Sequence, residues 1–238
     1  MKVRVLGICG SPRIPSNSEY LLEQALEEAG KVSEEVELKR YSLAGKKFAH
    51  CLGCFRCKEL NGECVQKDSF QELRDEWLKA DVIIYSVPVY HMTMPGQLKC
   101  FIDRLGNTLM FSYYGGLAKQ AKVIGAIAQG IHIFSGQEHT ITDLINHALV
   151  MGSIPVAGDL WEAYIGAGGW TSKELSGDAF KKQHKKGDFF DTEVAIRASK
   201  SIGKRTVQIA LMLKQGAVIE REMLEREGIL FKPLLDRL

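Results

Sequence analysis

This chain has almost no net charge: 31 Lys and Arg stand against 29 Asp and Glu in 238 residues, a formal balance of +2. So small an excess excludes the basic footprint of a nucleic-acid binder or of a protein drawn to an acidic membrane surface. Long apolar runs are missing too, and none approaches the ~18 residues that cross a bilayer. The first residues (Met1-Lys2-Val3-Arg4-Val5-Leu6) carry one short apolar run without the h-region and cleavage site of a secretory leader. A cytoplasmic setting is therefore expected, with no nucleic acid and no membrane as partner. Internal repeats and low-complexity linkers are lacking. Neither G-x-x-x-x-G-K-[ST] nor G-x-G-x-x-G occurs, which excludes a Walker A loop and a dinucleotide fingerprint. What remains is ordinary soluble composition, 45% hydrophobic and 25% charged, in a chain long enough for one sizeable core.

Against that background one stretch stands out. Four of the six cysteines, Cys51, Cys54, Cys57 and Cys64, fall within fourteen residues at C-x2-C-x2-C-x6-C. Thiolates two residues apart can point into one small volume, which suits a soft metal centre. In a reducing compartment clustered cysteines are ligands or redox groups more often than structural disulfides. Three chemistries compete: an iron–sulfur cluster, a structural zinc ion, and a redox C-x-x-C formed by Cys54 and Cys57. The x2-x2 run suits a cluster better than zinc, whose ribbons use two separated C-x-x-C knuckles. Bacterial ferredoxins hold three corners of one cluster with such a run, and here Cys64 is at hand to close the set locally.

The rest of the chain alternates strand and helix patterns. Residues 2–9, 36–42, 81–87, 122–128 and 154–160 read as buried strands. Helical apolar stripes follow at 19–30 (Leu21, Leu22, Ala25, Leu26, Ala29), from Asp68 (Phe70, Leu73, Trp77, Leu78), after Pro95 (Leu98, Phe101, Ile102, Leu105) and at 138–151 (Ile141, Leu144, Ile145, Leu149). That alternation predicts a doubly wound, parallel five-stranded α/β sheet with helices on both faces and the ligand outside the carboxyl ends of the strands. The cysteine stretch, residues 50–65, is then an insertion after the second strand. The loop 10–18 joins a strand to a helix N-terminus, where free N–H groups and the helix dipole favour a phosphate. Ser11, Ser16 and Ser18 add hydroxyls there, Asn17 an amide and Arg13 a cationic fork; the plainer alternative is a βα loop with Ser16 or Asn17 as N-cap. Residues 161–238 differ: a stretch of little periodicity, a basic run at 181–186 expected to be a solvated face, a long helix from Asp191, and an apolar tail that must pack on this subunit or a neighbour. One domain at 1–160 with an extension at 161–238 is expected.

Gly10-Ser11-Pro12-Arg13 with Ser16-Asn17-Ser18 resembles the flavin-phosphate loop of flavodoxin-like, NADPH-dependent FMN reductases. The stretch from Ser86-Val-Pro88-Val-Tyr90-His-Met-Thr-Met-Pro95 through Asp103-Arg104 resembles their second flavin-contacting segment, and Gly136-Gln137-Glu138 their stretch after the fourth strand. The cysteine spacing is similar to the compact motif of the iron–sulfur flavoproteins within that family. The resemblance covers about residues 1–160. It implies a flavodoxin-like fold, FMN, a [4Fe–4S] cluster on Cys51, Cys54, Cys57 and Cys64, and a homo-oligomer, dimer or tetramer, in which the cluster of one subunit lies near the flavin of another. The flavin contacts it implies are Ser11, Arg13, Ser16, Asn17, Ser18, Pro88, Val89, Tyr90, His91, Met92, Thr93 and Gly130. The activity implied is flavin-dependent electron transfer, with a ferredoxin or another redox protein as partner. The loop after the fourth strand, Ala128-Gln129-Gly130-Ile131-His132-Ile133-Phe134-Ser135, departs from the family pattern. Two alternatives stay open: an NAD(P)H-dependent FMN or quinone reductase with a structural metal site, and a non-enzymatic flavodoxin-like carrier. Cys9 and Cys100 read as small apolar residues, His50 as a surface histidine beside the cluster, and Leu52 and Phe55 as its shield from water.

Overall fold

A computed structural model describes residues 1–112 and 118–238. Six strands are formed, β1 Val3–Cys9, β2 Val36–Ser42, β3 Val82–Pro88, β4 Val123–Gly130, β5 Ile154–Pro155 and β6 Ala167–Trp170. All pair in parallel, in the order β2-β1-β3-β4-β5, with β6 also on β4. The β3 residues are buried throughout, as a central parallel strand requires. Strand β2 lies at the edge and is exposed over most of its length; its charged Glu37, Lys39 and Arg40 blunt that edge.

The expected fifth strand, 154–160, is a difference. It pairs only over Ile154–Pro155, against Val123 and Ile124. The chain then leaves the sheet, makes a 3-10 turn at Trp161–Ala163 and returns as β6, which pairs with residues Ile127 to Gly130 on the same edge of β4. The fifth position of the sheet is thus filled in two pieces. Pro155 can donate no hydrogen bond, and small residues (Ala167, Gly168, Gly169) let β6 sit close to its neighbours. A small-residue strand carries no alternating apolar signal, so the sequence pattern does not reveal it.

Nine helices are seen among the described residues: α1 Asn17–Gly30, α2 Arg56–Glu59, α3 Phe70–Lys79, α4 Gly96–Ser112, α5 Gln137–Val150, α6 Ala179–Lys186, α7 Phe190–Ile219, α8 Arg221–Arg226 and α9 Lys232–Leu235. Helices α3, α4 and α5 cover one face of the sheet, with Phe70, Trp77, Phe101, Leu105 and Leu144 in its core. Helices α1 and α7 cover the other, where Leu21, Leu22, Ala25, Ile196, Ile202 and Val207 meet β1, β3 and β4. The α1–α7 contact is a close backbone approach: a Cβ on Gly203 would lie 1.9 Å from the carbonyl oxygen of Ala25. Leu149, counted in the α5 stripe, is 57% exposed; the buried face runs through Thr140, Ile141, Leu144, His147 and Ala148 instead. The basic run lies on α6, and its lysines are exposed. The apolar tail packs on its own chain, with Leu224 and Leu234 against Ala121 and Ala217.

The order of strands reverses between β1 and β3: β1 connects to β2 on one side, and β3 continues to β4 on the other. The carboxyl ends of β1 and β3 therefore flank a crevice, the usual place for a ligand in an open α/β sheet.

Candidate functional site

At that crevice a cavity opens, where an open α/β sheet takes its ligand. From the first loop it is lined by Ser11, Arg13, Ser16 and Asn17, from the end of β3 by Pro88, Val89 and Tyr90, and from the end of β4 by Gln129, Gly130 and Ile131. Ser16 is the N-cap of α1, its Oγ accepting from the Glu19 N–H at 3.0 Å. Ser11 Oγ accepts from the Arg13 N–H at 3.2 Å. Both hydroxyls act as acceptors within the loop; the Ser11 O–H is left to donate to an anion beside the helix N-terminus, while Ser16 Oγ also meets Cys9 Sγ at 3.7 Å. The Arg13 guanidinium donates to the Leu175 carbonyl at 2.8 Å.

The fourth wall comes from Thr171, Glu174, Leu175 and Gly177, a segment the sequence did not mark as part of any site. Asn17 fastens it: Nδ2 donates to the Ser176 carbonyl at 2.8 Å and Oδ1 accepts from the Phe180 N–H at 3.1 Å. Gly177 makes the closure sterically possible, since a Cβ there would meet the Pro15 carbonyl oxygen at 2.1 Å. The only advance signal was the glycine and polar content of residues 171–177, which does not say where the segment lies.

Four of the expected cofactor residues lie outside the lining. Ser18 is fully buried behind it; its carbonyl accepts from Ser86 Oγ at 2.7 Å and its hydroxyl from Gln129 Nε2 at 3.4 Å. His91, Met92 and Thr93 belong to a tight turn closed by reciprocal backbone bonds between Tyr90 and Thr93 (2.8 and 3.1 Å). His91 and Met92 hold left-handed φ values of 47° and 70° and are exposed, and Thr93 Oγ1 donates to Asp143. Met92 instead borders a second, more apolar hollow with Ile133, Phe134, Tyr164 and Trp170.

The cysteines line a separate cavity of about 490 Å³, and no residue is shared with the first. Cys51, Cys54, Cys57 and Cys64 all face it, with Leu52, Phe55 and Val65 among its apolar walls. Left-handed residues turn the loop tightly enough for this: Gly53 (φ 59°), Phe55 (φ 55°) and Gly62 (φ 86°). No disulfide is formed; all six cysteines are free. Among the described residues no three His, Cys, Asp or Glu side chains stand at the spacing of a single metal ion. Burial, together with the charges of Cys51, Cys54 and Cys64, pushes the Cys57 thiol up from its ordinary pKa.

Helix α4 supplies the floor of this second cavity. Arg104, fully buried, donates to Cys64 Sγ at 3.4 Å, to the Gln66 carbonyl at 2.9 Å and to the Asp68 carboxylate at 2.6 and 2.8 Å. Burial alone would raise the Asp68 carboxyl, but the Ala49 N–H and the Arg104 guanidinium hold it below the usual range. One turn on, Asn107 Nδ2 donates to Cys51 Sγ at 3.4 Å. Arg104 ends the stretch that resembles a flavin-contacting segment, yet it faces the cysteines. His50 is exposed, and its carbonyl accepts from Gln66.

The model of the NADPH-dependent FMN reductase family matches residues 3–162. An iron–sulfur flavoprotein of Methanocaldococcus jannaschii is 30% identical over 214 residues, 90% of this chain and 100% of the relative. One from Methanosarcina thermophila is 31% identical over 172 residues, 72% of this chain and 85% of the relative. Among solved structures, RosB with bound 8-demethyl-8-formylriboflavin-5'-phosphate superposes with a TM-score of 0.63 at 14% identity, over 93% of this chain and 87% of that one, which speaks for the fold. Two cavities at the expected places, one behind the phosphate-type loop and one ringed by the four cysteines, thus accompany the sequence match, and the chain belongs to the NADPH-dependent FMN reductase family, among its iron–sulfur flavoproteins.

Proposed function

We propose that this flavin-dependent oxidoreductase holds FMN in the crevice between β1 and β3 and a [4Fe–4S] cluster in the cysteine cavity, and passes electrons between the two. The observation that carries this reading is the pair of separate, chemically different cavities: one with hydroxyl and backbone donors at a helix N-terminus, one with four free thiols in an apolar wall. Bound FMN exchanges electrons singly or in pairs and an iron–sulfur cluster exchanges them singly, so the two together can link both kinds of donor and acceptor.

The chain's own residues do the rest. Ser11, Ser16 and the first N–H groups of α1 hold the phosphate, with Arg13 adding charge at the rim. Pro88, Val89 and Tyr90 meet the ring system from the end of β3, with Gln129 and Gly130 beside them. The segment 171–177 closes over the site and excludes water. In the other cavity Cys51, Cys54, Cys57 and Cys64 would ligate the cluster, and the exposed Leu52, Phe55 and Val65 border it; exposure is a main lever on a cluster's potential.

The two cavities share no lining residue, and transfer between subunits of a homo-oligomer, from the cluster of one to the flavin of another, is part of this reading. The setting is cytoplasmic; among the described residues no helix is long and apolar enough to cross a membrane. The electron donor is a ferredoxin or another redox protein.

Anaerobic purification followed by visible spectra and flavin, iron and sulfide analysis tests the assignment. FMN with about four iron and four sulfide per subunit is expected; zinc in the cysteine site would overturn the cluster. One observation favours a second reading. An FMN-dependent NADH:quinone oxidoreductase of Sinorhizobium fredii is 42% identical over 71 residues, 28% of this chain and 34% of that protein. If this chain oxidises NADH directly, rapid turnover with NADH survives Cys51→Ala; if the cluster is on the path, turnover is lost while FMN stays bound.

A further inference from the structure

Arg104 and Asn107 lie three residues apart on α4 and so share one helix face. Each aims an N–H at a different cysteine sulfur: Arg104 at Cys64 and Asn107 at Cys51, both at 3.4 Å. The flavin cavity includes neither. Cys57 Sγ lies 3.8 Å from the Asn107 carbonyl and accepts from its own backbone N–H, and Cys54 is exposed.

The support around Arg104 is more than its fold requires. The side chain is fully buried, and its guanidinium carbon lies 4.3 Å from the Phe70 ring centroid. One fork nitrogen is anchored on Asp68, and the other spans Cys64 Sγ and the Gln66 carbonyl. Asp68 is fixed in turn by the N–H groups of Ala49 and Phe70. The Arg104 Nε is buried with no hydrogen-bond partner among the described residues. A buried donor left unmatched costs free energy, so the guanidinium keeps its orientation toward the cysteines against a local penalty. The donor is held by a rigid helix and by a carboxylate, not by the loop that carries the sulfurs.

We propose that Arg104 and Asn107 are the positioning residues that set the potential of the cysteine-bound cluster, acting through Cys64 and Cys51. A hydrogen bond to an anionic sulfur strengthens as negative charge on the centre grows, so both donors favour the reduced form and raise the potential. The Asp68 carboxylate offsets the Arg104 charge at longer range and leaves the directed N–H as the local effect. The solvent-facing side, Cys54 with its exposed neighbours Leu52 and Phe55, is the face through which an electron leaves. The inference rests on the cluster assignment made above.

The test is the midpoint potential of the cluster, followed by electron paramagnetic resonance during a reductive titration of the holoprotein, with the flavin potential as internal reference. Asn107→Leu removes one donor at nearly constant volume, and Arg104→Lys keeps the charge but loses the fork. Each is expected to shift the one-electron equilibrium about tenfold toward the oxidised cluster, about 59 mV, with the flavin potential unmoved. Should Arg104→Lys lose iron, Asn107→Leu still decides. Unchanged cluster potentials at full iron content would overturn the inference and leave the cluster assignment standing. Wild-type protein without iron and sulfide would overturn the assignment and the inference with it.

Discussion

Cys9 and Cys54 show how far surroundings, not residue type, decide a thiol's chemistry. Cys9 ends β1 with its side chain fully buried; burial first, then the charge of Glu19, pushes its pKa up to about 12. Cys54 stands exposed on the cysteine loop. In metal-free protein at pH 8, iodoacetamide is expected to alkylate Cys54 and spare Cys9 until denaturant is added. Peptide mass spectrometry reads the result, and early labelling of Cys9 would contradict the burial. His147 gives a second expectation at the same scale. It is buried on α5 with Nε2 3.4 Å from the Tyr85 hydroxyl, and burial lowers its pKa to about 4, with Lys99 adding to the shift. The unfolded chain protonates this residue near 6.5 while the folded chain does not until about 4. Stability is therefore intact above the upper value and falls as pH drops through the window, by at most about 1.4 kcal/mol per pH unit. Thermal melts at pH 7, 5.5 and 4.5 should show a shallower loss in His147→Leu than in wild type; parallel losses would refute the assignment. The burial of Cys9 was legible from its strand; the environment of His147 was not, because its neighbour Tyr85 comes from another element.

At the scale of elements the strongly periodic pieces were legible and the short or small-residue ones were not. Strands β1, β3 and β4 and helices α1, α3, α4, α5 and α7 all follow from apolar spacing. Strand β6 did not, since Ala167, Gly168 and Gly169 carry no stripe. The wall of the flavin cavity at 171–177 did not either, because what places it is a pair of long-range bonds from Asn17. Asn17 was expected as an anion donor; the structure commits both ends of its amide to that segment, which makes it a clasp for the cavity. Helix α7 depends on a similarly local device. A Cβ at Gly203 would meet backbone of α1 at under 2 Å, and backbone cannot swing aside as a flexible side chain can. Gly203→Ala gains about 1 kcal/mol in helix propensity yet is expected to lose several times that in packing. A net fall in the denaturation midpoint checks it, and a rise would show that the helices can separate at no cost.

At the scale of the whole molecule, α7 is the member that joins the parts. At thirty residues it is about 45 Å long, while the seven-residue strands span about 23 Å. It therefore overhangs the sheet at the amino ends of the strands. There Lys214 meets the Asp81 carboxylate at 3.0 Å and the Lys2 and Arg237 carbonyls, and Arg237 reaches the same carboxylate at 3.2 Å. Both ends of the chain are thus fastened at one buried ion cluster, on the far side of the sheet from the flavin crevice. The separation of the two cavities bears on assembly. Light scattering is expected to give a mass that is a multiple of 26.5 kDa. Mixed assemblies of a Cys51→Ala subunit carrying FMN with wild-type subunits stripped of FMN should still move electrons from cluster to flavin. Transfer confined to unmixed wild-type protein would place the path within one subunit.

The sequence by itself held four cysteines in one compact motif, a strand–loop–helix turn of the kind that can take an anion, and an alternation of elements that admits one class of sheet. Those are properties of short stretches, and short stretches are where residue type and spacing act directly. Only the tertiary structure decided which groups meet. It put Arg104 and Asn107 against the cysteines although their segment resembles a flavin contact, brought residues 171–177 across the flavin crevice, and split the fifth strand. Each of these is a contact between residues tens of positions apart or more, set by how helices pack on a sheet, and periodicity within one segment carries no record of it.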